Sequence, residues 1–227
     1  MKVTATLFVL LLPVLFLSAQ VIEKPRGCYA GTNGTGPNVL SHSKARGVLL
    51  IEKWSVLEPT PGTFDFSELD ASIELVTDAG LPYALAVSIG AFGYPEWLLS
   101  ELGAAYHTFS YQGQEWNLPL WWDTTVTSRL QALISALGEH YAADANLSHI
   151  YVSQMTTNGI EGHLNGVNMA AFASAGYTEE RWIAAATSTT YQFADAFPDK
   201  PIVFEIHEID QDTIVPAAII NDLYADP

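Results

Sequence analysis

Short apolar runs alternate with stretches of helical spacing along this chain. Five runs rich in β-branched, aromatic and small apolar residues read as strands, at 27–30, 47–51, 82–89, 149–155 and 201–207. Four stretches between and after them carry apolar residues three or four apart, at 67–79, 127–141, 178–197 and 212–224. The first of these helices shows its limits. Ser67 is placed to cap it, with Asp70 three residues on, and Gly80 ends it. Leu69, Ile73, Val76 and Ala79 form its apolar stripe.

Apolar strands alternating with amphipathic helices predict a parallel sheet covered by helices. The long aromatic stretch 91–127 follows the third strand, and large strand-to-helix loops suit a (β/α)8 TIM barrel. Only about five βα units are legible, whereas a closed barrel needs eight and takes roughly 250 residues. The expected fold is therefore α/β, a partial (β/α)8 barrel forming the N-terminal part of a longer protein.

Residues 1–19 read as a signal peptide. Lys2 supplies the charge, 7–17 the apolar core, and Leu17-Ser18-Ala19 the small-residue exit. The apolar run is short for a membrane span. The expectation is a secreted or periplasmic protein with one barrel domain over 20–227, free of the membrane after leader removal. A net charge of −16 with nine Lys and Arg leaves no stripe able to neutralise phosphates, so nucleic acid is not an expected partner. Cys28 is the single cysteine, which rules out an internal disulfide. No dinucleotide or phosphate-binding glycine pattern follows a strand, and the six His lack metal-ligand spacing. No cofactor and no metal are expected. Oligomeric state is not legible.

The segment after the second strand is unusually rich: Trp54, Glu58-Pro59, Pro61-Gly62, Phe64-Asp65-Phe66. Such loops at strand C-terminal ends are where barrels keep their function. Trp54, Trp97, Trp116, Trp121 and Trp122 all fall in loops on that side. Flat aromatics can stack on the C–H faces of sugar rings in a concave site, or can simply pack loops onto the barrel. Neighbours such as Trp121 and Trp122 cannot both face one pocket, so one ring of that pair is expected to be structural. Glu58 is expected to fix its loop by accepting N–H donors rather than to catalyse. Farther on, Glu205 and His207 share a strand face while Glu208 faces the other way, nearest the strand's C-terminal end.

Residues 46–97 resemble the N-terminal region of clan-A glycoside hydrolases, above all glycoside hydrolase family 42 (β-galactosidase-type). The resemblance rests on Trp54, Glu58-Pro59, Gly62 and Phe64-Asp65-Phe66. Leu69-Asp70, Ala79-Gly80-Leu81, Tyr94-Pro95-Glu96-Trp97-Leu98 and Leu120-Trp121-Trp122-Asp123 extend it. It implies a retaining glycosidase on a (β/α)8 barrel, with a general acid/base Glu at the end of strand four and a nucleophile Glu at the end of strand seven. In the family the acid/base directly follows an Asn. Here Asn158 and Glu161 are separated by two residues.

Glycoside cleavage needs two carboxyls, one to protonate the leaving oxygen and one to attack. Glu161 is the acid/base candidate and Glu208 a substitute second carboxylate. Asn158, Trp54, Trp97, Trp122 and His163 are the expected substrate contacts. The expected function is retaining hydrolysis of O-glycosidic bonds in an oligo- or polysaccharide, β-galactosidase-like. Little activity is expected of the isolated chain, since strand seven is missing from the pattern. The alternative is a non-catalytic carbohydrate-binding or surface protein on a degenerate barrel, which the separated Asn158 and Glu161 motivate.

Overall fold

The computed structural model describes residues 22–31, 33–152, 164 and 166–225. Five parallel strands form one sheet in the order β1 (Cys28–Ala30), β2 (Ala45–Lys53), β3 (Tyr83–Ser88), β6 (Leu147–Tyr151) and β7 (Ile202–Val203). A separate antiparallel hairpin, β4 (Tyr106–Tyr111) and β5 (Gln114–Pro119), is inserted after β3. Spatial order follows chain order with a helical crossover between neighbours, the arrangement of consecutive barrel strands.

The crossovers are α1 (Pro37–Leu40), α3 (Ser67–Asp78), α5 (Thr124–Tyr141) and α7 (Glu179–Ala196), and α8 (Ile214–Ala225) follows β7. Three short helices sit in loops: α2 (Trp54–Leu57), α4 (Trp97–Ser100) and α6 (Met169–Ser174). The long helices begin where the sequence supplies caps. Asp123 accepts from the N–H of Thr125 and Val126 at the start of α5, and Thr178 accepts from Arg181 N–H at the start of α7. At α3 the structure shifts the expected cap: Phe66 holds that place, and Asp65 accepts from Ser67 N–H. Gly80, at φ 72, turns the chain out of α3.

Strand register separates two faces. Val48, Leu50, Tyr83, Leu85, Val87 and Ile150 share the outer face, where Leu69, Ile73 and Val76 of α3 and Leu130, Leu133, Ile134 and Leu137 of α5 bury them. Tyr29, Gly47, Leu49, Ile51, Ala84, His149 and Tyr151 share the inner face. Tyr29 lies across that face. Its hydroxyl is 2.7 Å from Ser148 Oγ and its ring meets His149 edge-on at 4.8 Å. Gly47 makes this possible, because a Cβ there would collide with the Tyr29 ring and the Pro82 carbonyl.

The fifth strand is shorter than expected. Among the described residues, pairing with β6 runs only to Val203, and 204–208 are outside the strand. The hairpin was not expected at all. Its turn, Gln112-Gly113 with both residues at positive φ, is the two-residue connection that suits strand twist.

Candidate active site

The turn after β2 is held by one buried carboxylate. Glu58 is fully buried and accepts from Trp54 Nε1 at 2.8 Å, from Gly62 N–H at 2.8 Å and from the Arg129 guanidinium. Its own backbone carbonyl accepts from Trp97 Nε1 at 3.0 Å. Trp54 and Trp97 meet edge to face, 6.4 Å between ring centroids, with Arg129 stacked over Trp97. The loops after β2 and β3 are thereby tied to α5. This corrects the expectation for Trp54 and Trp97. Both rings are buried and both indole N–H groups are already used, so neither offers a face to a sugar.

The loop after β3 places the other tryptophans. Trp121 is buried. Trp122 is half-buried and packs against Phe172 of α6 and Tyr177, at 5.6 and 6.4 Å. Trp116 on β5 meets Phe92 edge-on at 4.2 Å, and Phe92 also touches Tyr111 at 6.3 Å. All three are half-buried, and Trp116 Nε1 has no acceptor among the described residues. Phe92 and Tyr111 were not expected as site residues. The signal was the Gln112-Gly113 turn, which puts Tyr111 and Trp116 on one hairpin face near its tip.

A cavity of about 440 Å³ is lined by residues from the segments that follow β6 and β7 in the chain. Its walls include Leu164, Gly166, Met169, Glu208, Asp210 and Gln211. That volume lies within the range of small-molecule sites. Glu208 is exposed at its rim. Glu205 Oε1 is 3.3 Å from His207 Nε2, although neither residue is in the strand expected to put them on one face. The Tyr151 phenol on the inner face is pushed up by burial, with the Glu205 charge adding to it. Asp210 and Gln211 both have positive φ, in a tight turn closed by reciprocal backbone hydrogen bonds between Ile209 and Asp212. A two-residue turn of this kind needs positive φ at both central positions. Asn158, Glu161 and His163 lie outside the described residues. By strand count Glu208 follows the fifth parallel strand, two short of the strand that family 42 uses for its nucleophile.

Residues 47–154 match the model of glycoside hydrolase family 42, described as beta-galactosidase. The match runs through the β2 turn, the hairpin loop and all of β6. The chain resembles the N-terminal part of family 42. Among curated proteins, beta-galactosidase Bga of Halorubrum lacusprofundi is 46% identical over 48 residues, covering 21% of this chain and 7% of that protein. Among solved structures, the cold-adapted beta-galactosidase from Rahnella sp. R3 superposes with a TM-score of 0.53 at 14% identity, covering 82% of this chain and 36% of that one. Xylanase 10B from Thermotoga petrophila gives 0.52 at 14% identity, covering 88% and 55%. These likenesses show the fold: the five parallel strands and their helices are part of a (β/α)8 barrel. The chain spans less than two thirds of each of these relatives.

Proposed function

We propose that this chain is the N-terminal part of an exported glycoside hydrolase that cleaves β-galactoside-type O-glycosidic bonds with retention. The observation that carries the reading is the family 42 match across 47–154, because it ends at the fourth parallel strand. That strand is where the family's acid/base carboxyl emerges. In this chain the segment leaving β6 brings Glu161, with Asn158 three positions before it. The acid protonates the leaving oxygen while a second carboxyl attacks the anomeric carbon. The nucleophile belongs to a seventh strand, beyond the five seen here. Export rests on the leader at 1–19, and the secreted product should begin near Gln20 by N-terminal sequencing.

The test is hydrolysis of β-galactosides by the complete gene product, wild type and Glu161→Gln. A general acid contributes about 10²–10⁴-fold, and it matters most when the leaving group is a poor one. Glu161→Gln should therefore lose about 10²-fold or more on lactose and far less on an activated aryl galactoside. Equal rates for variant and wild type on lactose would remove Glu161 from the mechanism. The second reading is a non-catalytic carbohydrate-binding protein, favoured by the two residues that separate Asn158 from Glu161. Saccharide binding without turnover by the complete product would select it.

A further inference from the structure

We propose that Asn146 carries an N-linked glycan, attached during export before β6 takes its place in the sheet. The inference rests on the export reading above and is independent of the glycosidase one. Asn146-Leu147-Ser148 is an Asn-x-Ser acceptor triplet, and its asparagine is exposed on the loop between α5 and β6.

The fold makes no use of this side chain. An asparagine in a loop commonly serves a left-handed backbone or an Asx turn. Asn146 serves neither. The non-glycine left-handed positions among the described residues are Asn33, Gln112, Asp210 and Gln211. The side-chain acceptor of this loop is Asp144, whose Oδ1 takes the Asn146 N–H at 2.8 Å. The backbone is held from both sides as well. Tyr83 N–H donates to the Asn146 carbonyl at 3.0 Å, and Lys200 Nζ donates to the carbonyls of Asp144 and Leu147 at 2.5 and 3.0 Å. The Asn146 amide group makes no hydrogen bond among the described residues. The other triplet, Asn33-Gly34-Thr35, differs: Asn33 has φ 57, so its backbone alone accounts for an asparagine there.

Position and timing follow from the same contacts. Asn146 stands at the starting end of the parallel strands, whereas the β2 turn held by Glu58 stands at their finishing end, so a glycan at Asn146 leaves that turn clear. A transferase must also reach the hydroxyl at the third position of the triplet. In the folded chain Ser148 is half-buried, and its Oγ is 2.7 Å from the Tyr29 hydroxyl and 3.1 Å from His149 Nδ1. The triplet is therefore open to the transferase only while β6 is unpaired. The donor is an oligosaccharide joined through phosphate to a polyprenyl lipid. A bond forms between Asn146 Nδ2 and C1 of the first sugar, and the bond from C1 to the phosphate oxygen breaks. The lipid phosphate leaves with that electron pair, and the amide gives up one proton.

The experiment expresses the full chain with its own leader in a yeast secretion host and treats the secreted protein with an N-glycan amidase. That enzyme converts a glycan-bearing asparagine to aspartate, so peptide mass spectrometry locates the attachment. The expected result is conversion at position 146. The glycan at 146 should persist in Asn33→Gln and in Ser148→Thr, which keeps the hydroxyl, and should be lost in Asn146→Gln and Ser148→Ala. Asn146→Gln replaces a side chain the fold does not use. Its urea midpoint should match that of the deglycosylated wild type, which separates loss of the acceptor from misfolding. Secreted wild type with Asn146 unmodified overturns the glycan and leaves export standing. Retention in the cell with the leader uncleaved overturns export and the glycan together. Folded protein made without the transferase, then given transferase and lipid donor, should stay unmodified. Modification at that stage overturns attachment before β6 pairs.

Discussion

Arg129 on α5 reaches the carboxylate of Glu58 across 71 positions of sequence and closes a buried ion pair behind the β2 turn. Glu58 is fully buried while the Arg129 side chain keeps 23% of its exposure, so the two partners are not equivalent. Removing the acid leaves a guanidinium and an indole N–H without their acceptor.

Glu58→Ala should therefore be among the most damaging single changes, costing about 3 kcal/mol. Glu58→Gln keeps one acceptor for Trp54 or Gly62 and should cost less. Urea unfolding followed by tryptophan fluorescence reads both. A cost near zero for Glu58→Ala would mean that the ion pair does not hold the loop.

Gly47→Ala should destabilise by about 2 kcal/mol, since extra atoms in a filled site force shifts. The new methyl would meet the Tyr29 ring and the rigid Pro82 carbonyl. Tyr29→Ala in the same chain should relieve the ring clash, so the pair of changes should be less than additive. Additive costs in a double-mutant cycle would place the strain elsewhere.

Acid should weaken the fold in a specific window. Burial holds the imidazoles of His107 and His149 below their ordinary value of 6.5. A depressed histidine binds its proton more readily in the unfolded chain. The contribution of the neutral rings is therefore complete above 6.5 and declines as pH falls below it, by up to about 1.4 kcal/mol per pH unit for each ring. Urea midpoints at about pH 7.5 and about pH 5.5 should differ, and His149→Gln should shrink the difference. An unchanged slope in that variant would remove His149 as a cause.

Alkali should act through the tyrosines. The Tyr83 hydroxyl donates to Asp144 at 2.9 Å and that of Tyr141 to Asp70 at 2.8 Å. Burial, then those carboxylates, push both phenols well above 10. Tyr177 is pushed to about 12, first by burial and then by Glu179. A raised phenol adds stability below the unfolded value of 10, and that stability is lost as pH climbs past it. Phenolate absorbance should show late-titrating tyrosines in the folded protein that revert to ordinary behaviour in urea. Simultaneous titration of all phenols in the folded state would contradict these contacts.

The sheet was largely legible because parallel strands buried on both faces write continuous apolar runs, as Tyr83 to Ser88 do. The helices were legible because Leu69, Ile73 and Val76, and Leu130, Leu133 and Leu137, repeat at helical spacing. The hairpin was not. His107, Phe109, Trp116 and Leu118 alternate correctly, but they lie inside a long loop whose richness suggested irregular structure. The structural role of Glu58 could be read from its place in the turn. The burial of Trp54 and Trp97 could not, because a tryptophan beside a strand end serves equally as platform or as wedge. Only the indole contacts to Glu58 decide between them.

Tyr29, stretched over Gly47 to Ser148 and His149, joins the first strand to the fourth near their starts. That bolt ties two strands that do not pair with each other, so a graft that redesigns the loops at the opposite ends of the strands should leave it untouched.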